Sequence, residues 1–337
     1  MIGNTAFESG GGAYSAILVN CTVSGNTAMC SNNAFGGGGA YGGALTNCIL
    51  NNNVASGPLG TGGGAYGGIL YNCQLTNNFT PWLGGGVDGS TLVNCILASN
   101  SVAASTFIVS GALATPYGGG SFNGSLSNCT LTGNSGYVGG GAYYSTLYNC
   151  KLIGNQAVST GGGADSSTLN NCGLAYNSSL AGGGASGGTL NNCTLAANSA
   201  GTYGGGVNSA TMNNCIAYYN SAVIGPNYYA STLNFCCTTP APGSGTNMSL
   251  EPLLADVFHV SAASPCRGAG SSGYVSGNDI DGESWGNPPS IGCDEYYFST
   301  ATGPLSVGIQ ADKCCFCKPA AGKKVGELCE ALVSGRQ

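Results

Sequence analysis

Charge is nearly missing from this chain. Of 337 residues only 6% are Asp, Glu, Lys or Arg, and there is a single histidine, His259. As far as residue 250 the charged side chains are Glu8, Asp88, Lys151 and Asp165, and no arginine precedes Arg267. So few basic groups exclude the electrostatic footprint needed for nucleic acid or an anionic lipid surface, and the net charge of −6 points the same way. No apolar run is long enough to cross a bilayer as a helix. The 61 glycines follow no G-X-Y period, which excludes collagen.

What is present is a repeat. Gly161–Asn177 reads GGGADSSTLNNCGLAYN, and the same unit recurs to about residue 237. Its Asn-Cys pair supplies a cysteine column: Cys21, Cys48, Cys73, Cys95, Cys129, Cys150, Cys172, Cys193 and Cys215, with Cys236 in a degenerate last copy. Five residues after each of the first nine stands a second asparagine: Asn26, Asn53, Asn78, Asn100, Asn134, Asn155, Asn177, Asn198 and Asn220. The spacing inside the unit is constant and only the connecting stretch varies, as expected for coils joined by loops. Ile2–Ala6 matches the end of a unit, so the chain is expected to open in mid-coil, with any export signal upstream.

A period of about 21–22 residues is too short for paired helices, and a glycine triplet in every copy opposes helix. Alternation predicts short strands. The inward set is the residue after the triplet (Ala13, Ala40, Ala65, Val87), the leucine before the cysteine (Leu18, Leu45, Leu70, Leu92), the cysteine, and the leucine after it (Leu50, Leu75, Leu97, Leu131). The expectation is an all-β, right-handed parallel β-helix of ten to eleven coils over residues 1–237, three strands per coil. Residues 238–298 read as a linker and C-terminal cap over the open end, and 299–337 as a tail that begins a further module.

The polar columns read first as structure. Stacked asparagine amides bond along the axis as in cross-β ladders. Cysteines stacked a strand apart are too far for disulfides, and the repeated ones show no C-x-x-C pair, so they read as small buried hydrophobes. No metal or cofactor is expected. Cys266 and Cys293, outside the repeat, are the candidate disulfide. Asp279, Asp281, Asp294 and Glu295 form a carboxylate cluster, read first as a turn with backbone hydrogen bonds and second as a calcium or acid/base site.

Two surfaces are candidates for contact with glycans or another protein. The column after the inward alanine is aromatic at Tyr14, Tyr41, Tyr66, Phe122 and Tyr143. The longest insertion, 101–118, is apolar, with Phe107, Ile108, Val109 and Leu113. Catalysis on the coils is not expected. Their outward carboxylates, Asp88 and Asp165, stand three coils apart, roughly 14 Å by strand spacing, wider than a glycosidase pair.

The GGGAY element at Gly62–Tyr66 and the L-x-x-N element at Leu75–Asn78 resemble the GGA and FxxN repeats of chlamydial polymorphic outer-membrane proteins, with Leu in place of Phe. The stretch SPCRGAG through DIDGESWGNPPSIGCDEY is similar to the end of secreted or surface-anchored bacterial β-helix repeat proteins. The resemblance implies an extracellular or cell-surface, structural or adhesin-like module. The alternative is a polysaccharide-binding or polysaccharide-degrading protein of the pectin lyase-like kind, by analogy of fold.

Overall fold

The glycine triplet sets the geometry of each coil, and its positions use the missing Cβ differently. In the third unit Gly62 turns the chain with φ +60°, a conformation that a side chain disfavours. A Cβ on Gly63 would lie 2.5 Å from the carbonyl oxygens of Gly85 and Phe79, so backbone replaces side chain there. The asparagine of each Asn-Cys pair makes another corner, with φ near +50° at Asn20, Asn47, Asn72 and their successors.

The computed structural model describes residues 1–30, 36–109, 111–243 and 245–297. The unit Met1–Tyr297 is all-β, with no helix among the described residues. It is a parallel β-solenoid of about ten turns whose coils stack in register. The tail, with Cys314, Cys315, Cys317 and Cys329, lies outside the described residues.

Each turn carries four short strands rather than three. Sheet I holds the Ala-Tyr strands from Ala13–Tyr14 to Tyr228–Tyr229, and sheet II runs from Ile17–Val19 to Thr232–Asn234. Sheet III runs from Thr22–Ser24 to Cys237–Thr238, and sheet IV from Thr5–Ala6 to Ser199–Tyr203. Sheet IV escaped the sequence reading because its inward residue changes freely: Ala28, Ala55, Thr80, Val102, Gly136, Ala157. The other inward columns form one continuous core of alanine or valine, leucine and cysteine.

Within that core the second asparagine of each unit is buried and bonded in three directions. Asn78 donates from its backbone N–H and from Nδ2 to Oδ1 of Asn100, at 3.0 and 2.9 Å, and Nδ2 also reaches the Leu50 carbonyl at 3.0 Å. The pattern repeats from Asn26 to Asn198, and Asn220 ends it on Asn227. The cysteines form a parallel row of free thiols. The one S–H of Cys73 lies within reach of the carbonyls of Tyr71 and Leu45, at 3.3 and 3.5 Å, and Sγ receives the Cys48 N–H at 3.4 Å.

The C-terminal part departs from the expected end cap. Met248 alone extends the ladder past the last coil, exchanging backbone bonds with Cys236 and Thr238. The remainder turns back and lies along the outside of the solenoid. It climbs from Ser271, bonded to Asn214, past Tyr274 on Asn192 and Ser276 and Asn278 on Asn171, to Asp279 on Asn149. Phe258 packs on the bare backbone of Gly173, and the Cys293 N–H bonds Thr194 Oγ1 at 3.1 Å. Cys266 and Cys293 are not joined. Both are free and buried, Cys266 in a cluster with Cys237 and Ile291 and Cys293 in another with Phe258 and Ile280, so packing separates the thiols that the sequence paired.

Candidate functional site

The aromatic column stands on the outer side of sheet I and stacks on itself. Tyr14 and Tyr41 lie 4.8 Å apart and 2° from parallel, and Tyr41 and Tyr66 5.1 Å apart. Phe122 and Tyr143 stack at 5.8 Å, with Tyr117 from the insertion 4.3 Å from Tyr143. Ring faces that a sugar would need are therefore spent on one another, and Tyr14 alone is mostly exposed, at 64%.

The two coil carboxylates share this column but do not face water, contrary to expectation. Asp88 sits between Tyr66 and Phe122 in register and is 6% exposed; Asp165 is 7% exposed. The residues preceding each triplet bridge one another in a low wall, Thr61 to Leu83 to Tyr117 to Val138. From that row Thr160 Oγ1 donates to Asp165 at 2.6 Å. Burial pushes the Asp88 carboxyl up to about 7 despite a hydrogen bond from Thr61, and burial raises Asp165 as well. Two buried carboxyls three coils apart form no acid/base pair.

The 101–118 insertion is a small antiparallel hairpin, Phe107–Val109 against Ala112–Ala114. Its cross-strand pair Ile108 and Leu113 is exposed.

A further surface was not read from the sequence. At the corner between sheets II and III, the asparagine of the Asn-Cys pair uses one amide N–H along the axis: Asn47 donates to Asn20 and Asn72 to Asn47, at 3.2 Å each. In the later coils Nδ2 also donates outward to the returning segment, as Asn171 does to Ser276 and Asn278 and Asn192 does to Tyr274. Asn171, Asn192 and Asn214 are buried by that segment, whereas Asn20, Asn47, Asn72, Asn94 and Asn128 are exposed. Beside them Ile49 and Ile96 in sheet III, and Ile17, Ile69 and Tyr71 in sheet II, are exposed too. The segment leaves the corner at Ile280–Gly282, and there a cleft of about 430 Å³ opens over Asn94, Asn128 and Asn149.

The returning segment also brings charges together. Asp279 is fully buried and closes the expected turn, its Oδ1 accepting the N–H of Asp281 and Glu283 and its Oδ2 that of Glu295. Glu295 accepts Gly286 N, Ser290 N and Ser290 Oγ. These two carboxylates are structural. Asp281 instead reaches Lys151 of the coil at 3.9 Å and His259 Nε2 at 2.9 Å. His259 Nδ1 lies 2.6 Å from Asp256, which also accepts the N–H of Phe258 and His259. Burial raises the Asp256 carboxyl, but its bonds to His259 and the two backbone N–H groups hold it down at about 2. Burial pushes the nearby Asp294 up to about 6. The sequence reading missed His259, whose only signal was the Asp256-x-x-His259 spacing.

No protein-family model matches the chain, and no curated protein does either. Among solved structures it is similar to HetL, a pentapeptide repeat protein involved in heterocyst differentiation regulation, from the cyanobacterium Nostoc sp. strain PCC 7120. Identity is 13%, the match covers 71% of this chain and 91% of that one, and the TM-score is 0.31. A superposition that loose carries no argument. No helix among the described residues is long and apolar enough to cross a membrane, which says nothing of a β-barrel.

Proposed function

We propose that this chain is a non-catalytic β-solenoid module of the extracellular or cell-surface kind, structural and adhesive. Its contact surface is the outer corner of the coils carrying Asn20 to Asn128, and its occupant is an extended segment of a partner protein. The observation that carries the reading is the returning segment. The chain already holds one irregular segment on this corner, through outward amide N–H groups and the segment's backbone carbonyls. The same amides and an apolar flank continue, uncovered, into the earlier coils. Repeated backbone recognition on a rigid edge gives affinity, and the flanking isoleucines give selectivity. Location outside the cell rests on the resemblance of the GGA and SPC…DIDG…IGCDEY motifs; protease shaving of intact source cells tests it.

The contact face is tested with a fluorescein-labelled peptide copying residues 271–282, titrated with the full chain and followed by anisotropy. Saturable binding that weakens at least tenfold in an Asn94→Gly/Asn128→Gly variant supports the reading. Glycine keeps the left-handed corner and removes only the amide. No binding at millimolar protein, or binding untouched by the variant, overturns it.

One observation favours a second reading. Tyr14 is 64% exposed at one end of the stack with Tyr41, and an exposed ring there suits a sugar. Co-sedimentation with a polysaccharide panel that is lost in Tyr14→Ala, without new reducing or unsaturated ends, would favour glycan binding; new ends would mark a polysaccharide-degrading enzyme.

A further inference from the structure

We infer that His259, Asp281 and Asp294 form a site for a divalent first-row metal ion, tying together separate stretches of the returning segment. The sequence carries no metal-ligand spacing. The site exists because the segment folds back and brings together residues 22 and 13 positions apart.

Three observations carry the assignment. The first is a close approach of two groups that can both serve as ligands. Nδ1 of His259 is held at 2.6 Å by Asp256, which fixes the Nδ1–H tautomer and leaves Nε2 as a lone pair in the neutral ring. That nitrogen lies 2.9 Å from Asp281 Oδ2, is shielded from solvent, and makes no aligned hydrogen bond. Two acceptors at this distance repel unless a positive charge serves both, which a metal ion bound by both supplies, as does a proton on the ring.

The second is distance. Neighbouring ligands around a six-coordinate ion with bonds of about 2.1 Å are separated by about 3 Å, which is the spacing of Nε2 and Oδ2. A ligand atom each from His259, Asp281 and Asp294 lies within 4.8 Å of the other two. Ligands opposite one another span about 4.2 Å, so a pair at that outer limit closes with a shift of about 0.6 Å. Asp281, exposed on the surface, has that freedom.

The third is the surrounding shell. Asp256 orients the histidine from behind, the carboxylate–histidine arrangement that metal-binding imidazoles use. Asp294 is itself anchored by the Val260 N–H at 2.8 Å. Besides His259, the basic side chain paired with these carboxylates among the described residues is Lys151, at 3.9 Å from Asp281. One imidazole and two carboxylates suit Mn²⁺, Fe²⁺ or Zn²⁺ with water completing the shell. Bound there, the ion ties Asp281 to His259 and Asp294 beside Lys151.

Mn²⁺ is the probe to use, because the chain's many thiols would compete for Zn²⁺. The full chain, stripped with chelator, is titrated with Mn²⁺, and free ion is read by electron paramagnetic resonance. One ion bound per chain, with affinity at least tenfold weaker in both His259→Gln and Asp281→Asn, is the expected result. Asp281 is exposed, so its variant keeps the fold, and circular dichroism of both variants checks this. No binding up to millimolar Mn²⁺, or binding that neither substitution weakens, overturns the assignment and leaves a proton as the charge between His259 and Asp281.

Discussion

Asn53 donates twice to one atom, its backbone N–H and its Nδ2 both reaching Oδ1 of Asn78 at 3.0 Å. The pair lies inside a core from which water is excluded, so each bond has no substitute. Asn78→Ala would strand two donors on Asn53. A loss of about 3 kcal/mol or more in urea unfolding is expected, near the upper range for a single substitution. A loss under about 1 kcal/mol would show that the ladder is decorative.

Cys95 and Cys129 in the cysteine row are expected to be chemically silent. A neighbouring thiol and burial push Cys95 and Cys129 up to about 12, so neither presents a thiolate at neutral pH. Iodoacetamide at pH 8 should leave both unmodified in the native chain and alkylate both in denaturant. Cys266 and Cys293 should also alkylate in denaturant without any reductant, because no bridge joins them. Alkylation of Cys266 and Cys293 only after reduction would contradict the separate packing of these thiols.

Asp88 should make stability pH-dependent. Its carboxyl titrates near 7 in the folded chain against an ordinary 3.8, so the folded state holds a proton that the unfolded state has lost. Stability from this group is complete below about 3.8, falls as pH rises, and levels off above 7. Asp88→Asn removes the dependence. At pH 8 the variant should be more stable than the parent by about 2–4 kcal/mol, and at pH 4 nearly equal to it. An equal gap at both pH values would mean that the carboxyl does not titrate as its burial requires.

The corner asparagines hold the returning segment. Asn171→Gly preserves the left-handed corner and removes the bonds to Ser276 and Asn278. Limited proteolysis within 271–282 should accelerate severalfold, with the coils still resistant, for a local loss of about 1–3 kcal/mol. Asn47→Gly, on the uncovered face, should leave the rate unchanged.

What the sequence made legible followed from period. Ala40, Leu45, Cys48 and Leu50 recur at fixed spacing, and a recurring apolar residue in a short strand has one place to go. Sheet IV was hidden because Ala28, Thr80 and Gly136 share position but not chemistry. The two asparagine columns look alike in letters. Asn26 is an internal ladder and Asn20 an exposed corner, and only the backbone, left-handed at Asn20 alone, separates them. The path of residues 255–297 has no repeat to announce it, so neither the covered corner nor the meeting of His259 with Asp281 could be read from spacing.

The most direct test of the binding corner is hydrogen exchange of the full chain with and without the 271–282 peptide at saturation. Protection of backbone amides confined to the coils between Asn72 and Asn128 is expected, since these hold the open amides and the cleft. No added protection there, or exchange that speeds up in the chain's own segment at Ser271–Asp279 as the peptide displaces it, would contradict the claim that the uncovered corner is a second site for such a segment.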